Sequence, residues 1–279
     1  MRRREVLRLL AGTAVGWPLS VRAQQKIPRI GFMGNSTAAL EVNLVNSFRE
    51  GLRELGYEEG RNIVIDYLWA EGKYERFPAL VNDFIAAKVD VIVTAGTPAA
   101  LAVKEKANRI PLVMVAVGDP VGTGIVKNLA RPEGNLTGLS SIAPDLEGKR
   151  LQLLREVVPA LSQVAMLFNS LNPFHVASVR QAGVAAQTLG IKLQALDIRT
   201  SEDLDGAFAT VRQERPDALF ILADRVFLHN RQRIIDFAAE QRLPSVNAYE
   251  ELVEAGGLLS YGPSYEDMHR RAAGYSTRS

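Results

Sequence analysis

The feature that most constrains this chain is a pattern that runs through it twice. Short apolar runs of strand length alternate with longer amphipathic stretches of helix length. Residues 30–33 follow Pro28 and read as a first strand. Across 40–55, Leu44, Phe48, Leu52 and Leu55 recur at helical spacing, and Gly56 stands where a helix would end. Residues 62–69 are dominated by β-branched and aromatic types, which favour a strand. Phe77, Leu80, Val81, Phe84 and Ile85 give 74–87 a helical stripe. Residues 89–94 are almost wholly apolar, as suits a parallel strand covered on both faces. A helix over 98–107 and strands at 112–117 and 136–140 complete the first block. The order then restarts, with helices at 146–157, 172–189, 201–213 and 228–241. Strands at 163–168, 191–198 and 218–223 lie between them, and strand-like runs follow at 245–248 and 258–260. Alternating units of this kind, joined by right-handed crossovers, build parallel sheets with helices on both faces. The expected fold is α/β, with two Rossmann-like lobes joined near 138–144 without a long linker. A second crossing near 248–262 would make the junction a hinge rather than a tether.

The amino terminus stands apart. Arg2, Arg3, Arg4 and Arg8 form a basic head, 7–19 is mostly apolar, and Val21-Arg22-Ala23 precedes Gln24. That order reads as a signal peptide over 1–23. Its apolar part is short of the roughly 20 residues a membrane span needs. Arg3-Arg4-Glu5-Val6-Leu7 is similar to the twin-arginine export motif, with valine where phenylalanine is usual, and a standard secretion route fits nearly as well. The 33 basic and 31 acidic residues give a formal charge of +2, but much of the excess lies in this head. Without Arg2, Arg3, Arg4, Arg8, Arg22 and Glu5, 28 basic and 30 acidic residues remain. Nucleic acid and anionic membranes both demand concentrated positive charge, so neither is an expected partner. There is no cysteine, which excludes disulfides and thiolate metal sites.

Ligands of open α/β sheets gather beyond the carboxyl ends of the strands. The residues that follow each strand are therefore the candidates for binding. Ser36 follows the first strand. Thr97 precedes Pro98 and reads as a helix cap whose neighbouring amides could hold an anion. Asp119, in the glycine-rich loop 118–124, could accept a ligand ammonium or cap a turn. Asn169 and Asn172 offer donors and acceptors to a zwitterion or a hydroxylated ligand, or serve the turn itself. Asp224 could pair with a cation, Phe227 could pack on an apolar ligand part, and Tyr249 could do either. The loop 118–124 lacks the lysine of a phosphate-binding Walker loop and the full dinucleotide glycine pattern. His175, His229 and His269 read as solvated helix residues. No HExxH or GxSxG motif occurs, so no catalytic residue, metal ligand or cofactor is expected. An α/β enzyme acting on a small anionic or sugar-like substrate and a ligand-sensing domain remain as alternatives to a binding protein.

Several ordered segments carry a family resemblance. They are Ile30-Gly31-Phe32, Phe48-Arg49-Glu50-Gly51-Leu52, Leu55-Gly56-Tyr57 and Glu59-Gly60-Arg61-Asn62. They continue through 94–100, 118–121, 134–138 and 169–173. The chain resembles the bacterial ABC-transporter substrate-binding proteins related to the tryptophan- and tyrosine-type binding proteins. The resemblance implies a class I periplasmic binding fold, a periplasmic location and capture of a small-molecule ligand between the lobes. It also implies handover to the membrane permease of an ABC transporter. It points to Ser36, Thr97, Asp119, Asn169, Asp224 and Tyr249 in or beside the cleft. On this reading the lobes span 24–140 and 141–248, and 249–279 returns to the first lobe. Relatives of this kind continue well past the equivalent of 261–271. The polar ending 274–279 therefore resembles a truncated one, which would leave the first lobe without elements that cover its core.

Overall fold

A computed structural model describes residues 26–132, 134–141 and 146–277. The candidate signal segment 1–23 lies outside the described residues. The first sheet holds β1 (Arg29–Gly34), β2 (Val64–Trp69), β3 (Val91–Ala95), β4 (Leu112–Gly118) and β5 (Leu136–Ser141), in the order β2-β1-β3-β4-β5. The second holds β6 (Gln163–Phe168), β7 (Lys192–Asp197), β8 (Ala218–Ile221), β9 (Ser245–Asn247) and β10 (Leu259–Ser260), in the order β10-β9-β8-β6-β7. Every pairing is parallel. Read from its own first strand, each sheet has the same order, and each reverses direction beside that strand. These reversals, between β1 and β3 and between β6 and β8, open crevices at the carboxyl ends of the strands.

Helices cover both sheets. Lobe one carries α1 (Val42–Glu54), α2 (Phe77–Ala87) and α3 (Thr97–Lys106). Lobe two carries α4 (Leu146–Val157), α5 (Pro173–Leu189), α6 (Asp203–Glu214), α7 (Arg225–His229), α8 (Arg231–Glu240) and α9 (Glu250–Glu254). The helix α10 (Tyr265–Ser276) returns to lobe one. Strands β3, β4 and β8 are buried along their whole length, which is why their sequences are almost continuously apolar rather than alternating.

Three expectations change. The single helix over 228–241 is two, α7 and α8, meeting at Asn230, and Asp224 starts the first by accepting from the Val226 amide at 3.0 Å. The apolar residues 226–228 resemble a strand exit, which hides that start. Second, β10 still pairs with β9, beyond residue 248 where the sequence places the end of the second lobe. The return comes after Ser260.

Third, the polar-looking end of the chain is not a loose tail. Ser264 caps α10 by accepting from the Asp267 amide at 3.2 Å, and Glu266 and Asp267 suit the positive first turn. Met268, Ala272 and Ala273 are buried with Phe48 and Leu52 in the core of lobe one. Gly51 permits the close approach: a β-carbon there would overlap the carbonyl oxygen of Arg270. The expected gap over the first lobe is thus covered by α10 against α1, β3, β4 and β5.

The chain crosses between the lobes after β5 and again after β10. Arg150, at 1% exposure, donates from Nε to the Tyr261 carbonyl at 2.7 Å on the returning crossing. Its Nη1 donates to Glu147, also buried, at 2.8 Å.

Candidate ligand-binding site

The carboxyl ends of both sheets face one another, and a cavity lies between them. It is narrow, and its walls include Gly96 and Thr97 from lobe one and Asn172, Asp224, Arg225 and Tyr249 from lobe two. Tyr74 and Tyr265 complete the wall on the side of lobe one.

Asp224 organises this site. As the cap of α7 it must present its carboxylate to the helix start. Oδ1 accepts from the Val226 amide at 3.0 Å and from Asn169 Nδ2 at 3.2 Å. Oδ2 accepts from Asn172 Nδ2 at 2.9 Å and, across the lobes, from the Tyr74 hydroxyl at 2.7 Å. A carboxylate has about four acceptor positions, and these are filled from within the protein. Asp224, a candidate partner for a ligand cation from the sequence, bridges the two lobes in this structure. Burial, and the nearby Asp224 carboxylate after it, push the Tyr74 hydroxyl well above the ordinary tyrosine range, so it donates its proton to that bond.

Asn172 caps α5 through its side-chain oxygen, which accepts from the Phe174 amide at 3.2 Å, while its amide nitrogen serves Asp224. Asn169 is fully buried and its oxygen accepts from the Leu171 amide at 2.9 Å, so it supports the site without lining the cavity. Thr97 lines the cavity but does not cap α3. Gly96, at φ 84°, holds the cap position, and the Thr97 hydroxyl donates to the Gly118 carbonyl at 3.3 Å. Ser36 lies beside the cleft: its Oγ is 2.7 Å from His229 Nδ1 of the other lobe. Its amide and that of Asn35 donate to Glu41 Oε1 at 2.6 and 2.9 Å. Asp119 does not line the central cavity. It accepts from the Gly122 amide at 2.9 Å, closing its own turn, and faces a separate surface groove with Arg180. Phe227 is buried in the core rather than presented to a ligand.

The histidines are not solvated helix residues. His175 is buried at 1% exposure; its Nδ1 accepts from the Asn169 amide at 2.8 Å and its Nε2 faces the Ala223 carbonyl at 3.1 Å. His269 is buried too, its Nδ1 lies 2.7 Å from the Tyr265 carbonyl, and burial lowers its pKa to about 4. His229 is half-buried between the lobes, and burial lowers its pKa. Helical periodicity places a histidine on a face, but not what that face packs against.

The residue that sequence reasoning passed over is Arg225. It is 3% exposed, and its guanidinium carbon lies 5.4 Å from the ring centre of Tyr249 and 5.3 Å from that of Tyr265. Burial opposes its charge, but Tyr249, Glu41, Tyr265 and Glu251 together hold its pKa above the usual arginine value. Burial also raises the Glu41 carboxyl, with Arg225 opposing the rise. An arginine directly after an aspartate reads as a local pair; here the two point to different partners.

Residues 38–278 match the family model described as ABC transporter substrate binding protein. The chain belongs to that family. This substrate-binding protein is 27% identical over 226 residues to the tyrosine-binding protein of Clostridioides difficile (strain R20291), which covers 81% of this chain. It spans 64% of the length of that curated relative. Among solved structures, a conserved domain protein from Vibrio cholerae O1 biovar El Tor superposes with a TM-score of 0.83 at 27% identity, covering 91% of this chain and 84% of that one. An ABC domain from Streptococcus pneumonia, solved in complex with L-Trp, superposes with a TM-score of 0.82 at 22% identity, over 90% and 84% of the two chains. The two-lobed architecture of this substrate-binding protein is thus the class I periplasmic binding fold. Among the described residues no helix is long and apolar enough to cross a membrane, and no group of three histidine or acidic residues is placed to hold a metal ion.

Proposed function

We propose that this protein is the exported capture component of an ABC uptake system. It encloses one small polar solute between its lobes and delivers it, chemically unchanged, to a membrane permease. The observation that carries this reading is the cavity at the facing carboxyl ends of two similar sheets, bridged by Tyr74 and Asp224. Closure of two lobes around a ligand is a recurrent two-state device of this geometry. The names of the two relatives, one a tyrosine-binding protein and one solved with L-Trp, favour an amino acid as the solute. Thr97, Asn172, Asp224 and Tyr249 form or support the binding wall, with Ser36 and Asn169 behind it, whereas Asp119 lies in a separate groove. Residues 1–23 direct export to the periplasm by the general or the twin-arginine route.

Native mass spectrometry of the purified protein against amino acids, short peptides and sugars tests this reading. The expected result is one ligand per chain, released with unchanged mass. Conversion of the ligand, or no adduct across the panel, would count against capture.

A further inference from the structure

We propose that the captured solute carries a carboxylate, and that this group bridges the lobes between the Arg225 guanidinium and the first turn of α3. The proposal rests on the cleft being the capture site. Arg225 lines the cavity, and its Nε and Nη2 are buried without a hydrogen-bonding partner among the described residues. Glu41 and Glu251 are near enough to be felt electrostatically, but among the described residues no carboxylate oxygen comes within the 4.0 Å of an ion pair. Leaving a charged donor buried and unpaired is strongly unfavourable, so such a group marks a place where an acceptor belongs.

The geometry of these two donors is specific. The Nε and Nη2 hydrogens lie parallel on one edge of the planar guanidinium, the arrangement that meets both oxygens of a carboxylate. The rings of Tyr249 and Tyr265 attend the guanidinium at 5.4 and 5.3 Å, contacts that leave its in-plane donors unused. On the other lobe, a β-carbon at Gly96 would stand 3.7 Å from Nε, so this edge faces the residue that opens α3. The first turn of a helix leaves amide donors without intrahelical partners, and its end of the helix dipole is positive. Pro98 has no such donor, so those of Thr97 and Ala99 remain. Two sets of donors with the same electrical sense thus meet across the closed cleft, and an anion between them satisfies both. Asp224, which also lines the cavity, already accepts from four internal donors, so the unpaired charge at this site is the cation of Arg225.

Calorimetry on the unmodified protein tests this with matched pairs. Amino acids and simple monocarboxylates are compared with their carboxamides, and neutral sugars form a third arm. The expected outcome is that a carboxylate binds and its carboxamide is weaker by about 100-fold or more, with a similar loss in Arg225→Met. Arg225→Lys should recover only part of the affinity, because it keeps the charge and loses the fork. If a carboxamide or a sugar binds as tightly as any carboxylate, the carboxylate assignment falls while capture stands. If no arm binds, both fall. Should Arg225→Met fail to fold, the matched pairs in the unmodified protein still decide.

Discussion

His269 shows what a single buried side chain adds beyond its contacts. Its folded pKa of about 4 lies below the ordinary 6.5, because burial disfavours the imidazolium. Below about pH 6.5 the unfolded chain takes up a proton that the folded chain refuses. Stability from this group is therefore complete above pH 6.5 and declines as the pH falls toward 4, by about 3 kcal/mol in all. Urea unfolding at pH 7 and pH 4.5 should show a smaller acid loss in His269→Gln than in the parent. An equal loss in both proteins would refute the assignment. This residue was visible in the sequence, but its environment was not. The same is true across the site. Asn169, Asn172 and Asp224 stand at strand exits and were legible as polar tips. That they satisfy one another, and that Tyr74 completes the set from 150 positions away, depends on a distance that no local pattern records. Arg225 was overlooked for the same reason: nothing beside it in the chain reveals that its edge is unpaired.

At the level of elements, most strands and helices were legible because each buries a recognisable apolar stripe. The exceptions have physical causes. The buried face of α10 is Tyr265, Met268, His269, Ala272, Ala273 and Ser276, a mixture too weak in hydrophobicity to announce a packed helix. The break between α7 and α8 occurs at Asn230 with no proline or glycine to signal it. The contact of α10 with α1 makes a separate prediction. Because the backbone of Arg270 fills the place of a Gly51 β-carbon, Gly51→Ala should force the helices apart and lower stability by about 1–3 kcal/mol. A fall in the urea midpoint would register this, and an unchanged midpoint would show that the pair can slide to make room.

For the whole molecule, the fold class followed from the doubled strand–helix rhythm, whereas the seating of one lobe on the other did not. Gly118 at the end of β4 meets Phe174 of α5, and a β-carbon there would lie 2.5 Å from the ring. Gly118→Ala should act as a wedge between lobes that each still fold. Ligand affinity is expected to drop about tenfold or more, while the melting temperature without ligand changes little. X-ray scattering with saturating ligand should report a larger radius of gyration than the parent, and identical radii would reject the wedge. The bond from Arg150 to the Tyr261 carbonyl has a consequence for this motion. With the chain passing twice between them and Arg150 tied to the returning pass, the halves are expected to swing like a door rather than twist or slide freely. Reporter pairs placed at different depths of the opening should then follow one common coordinate, and loosening Arg150 should let them drift independently.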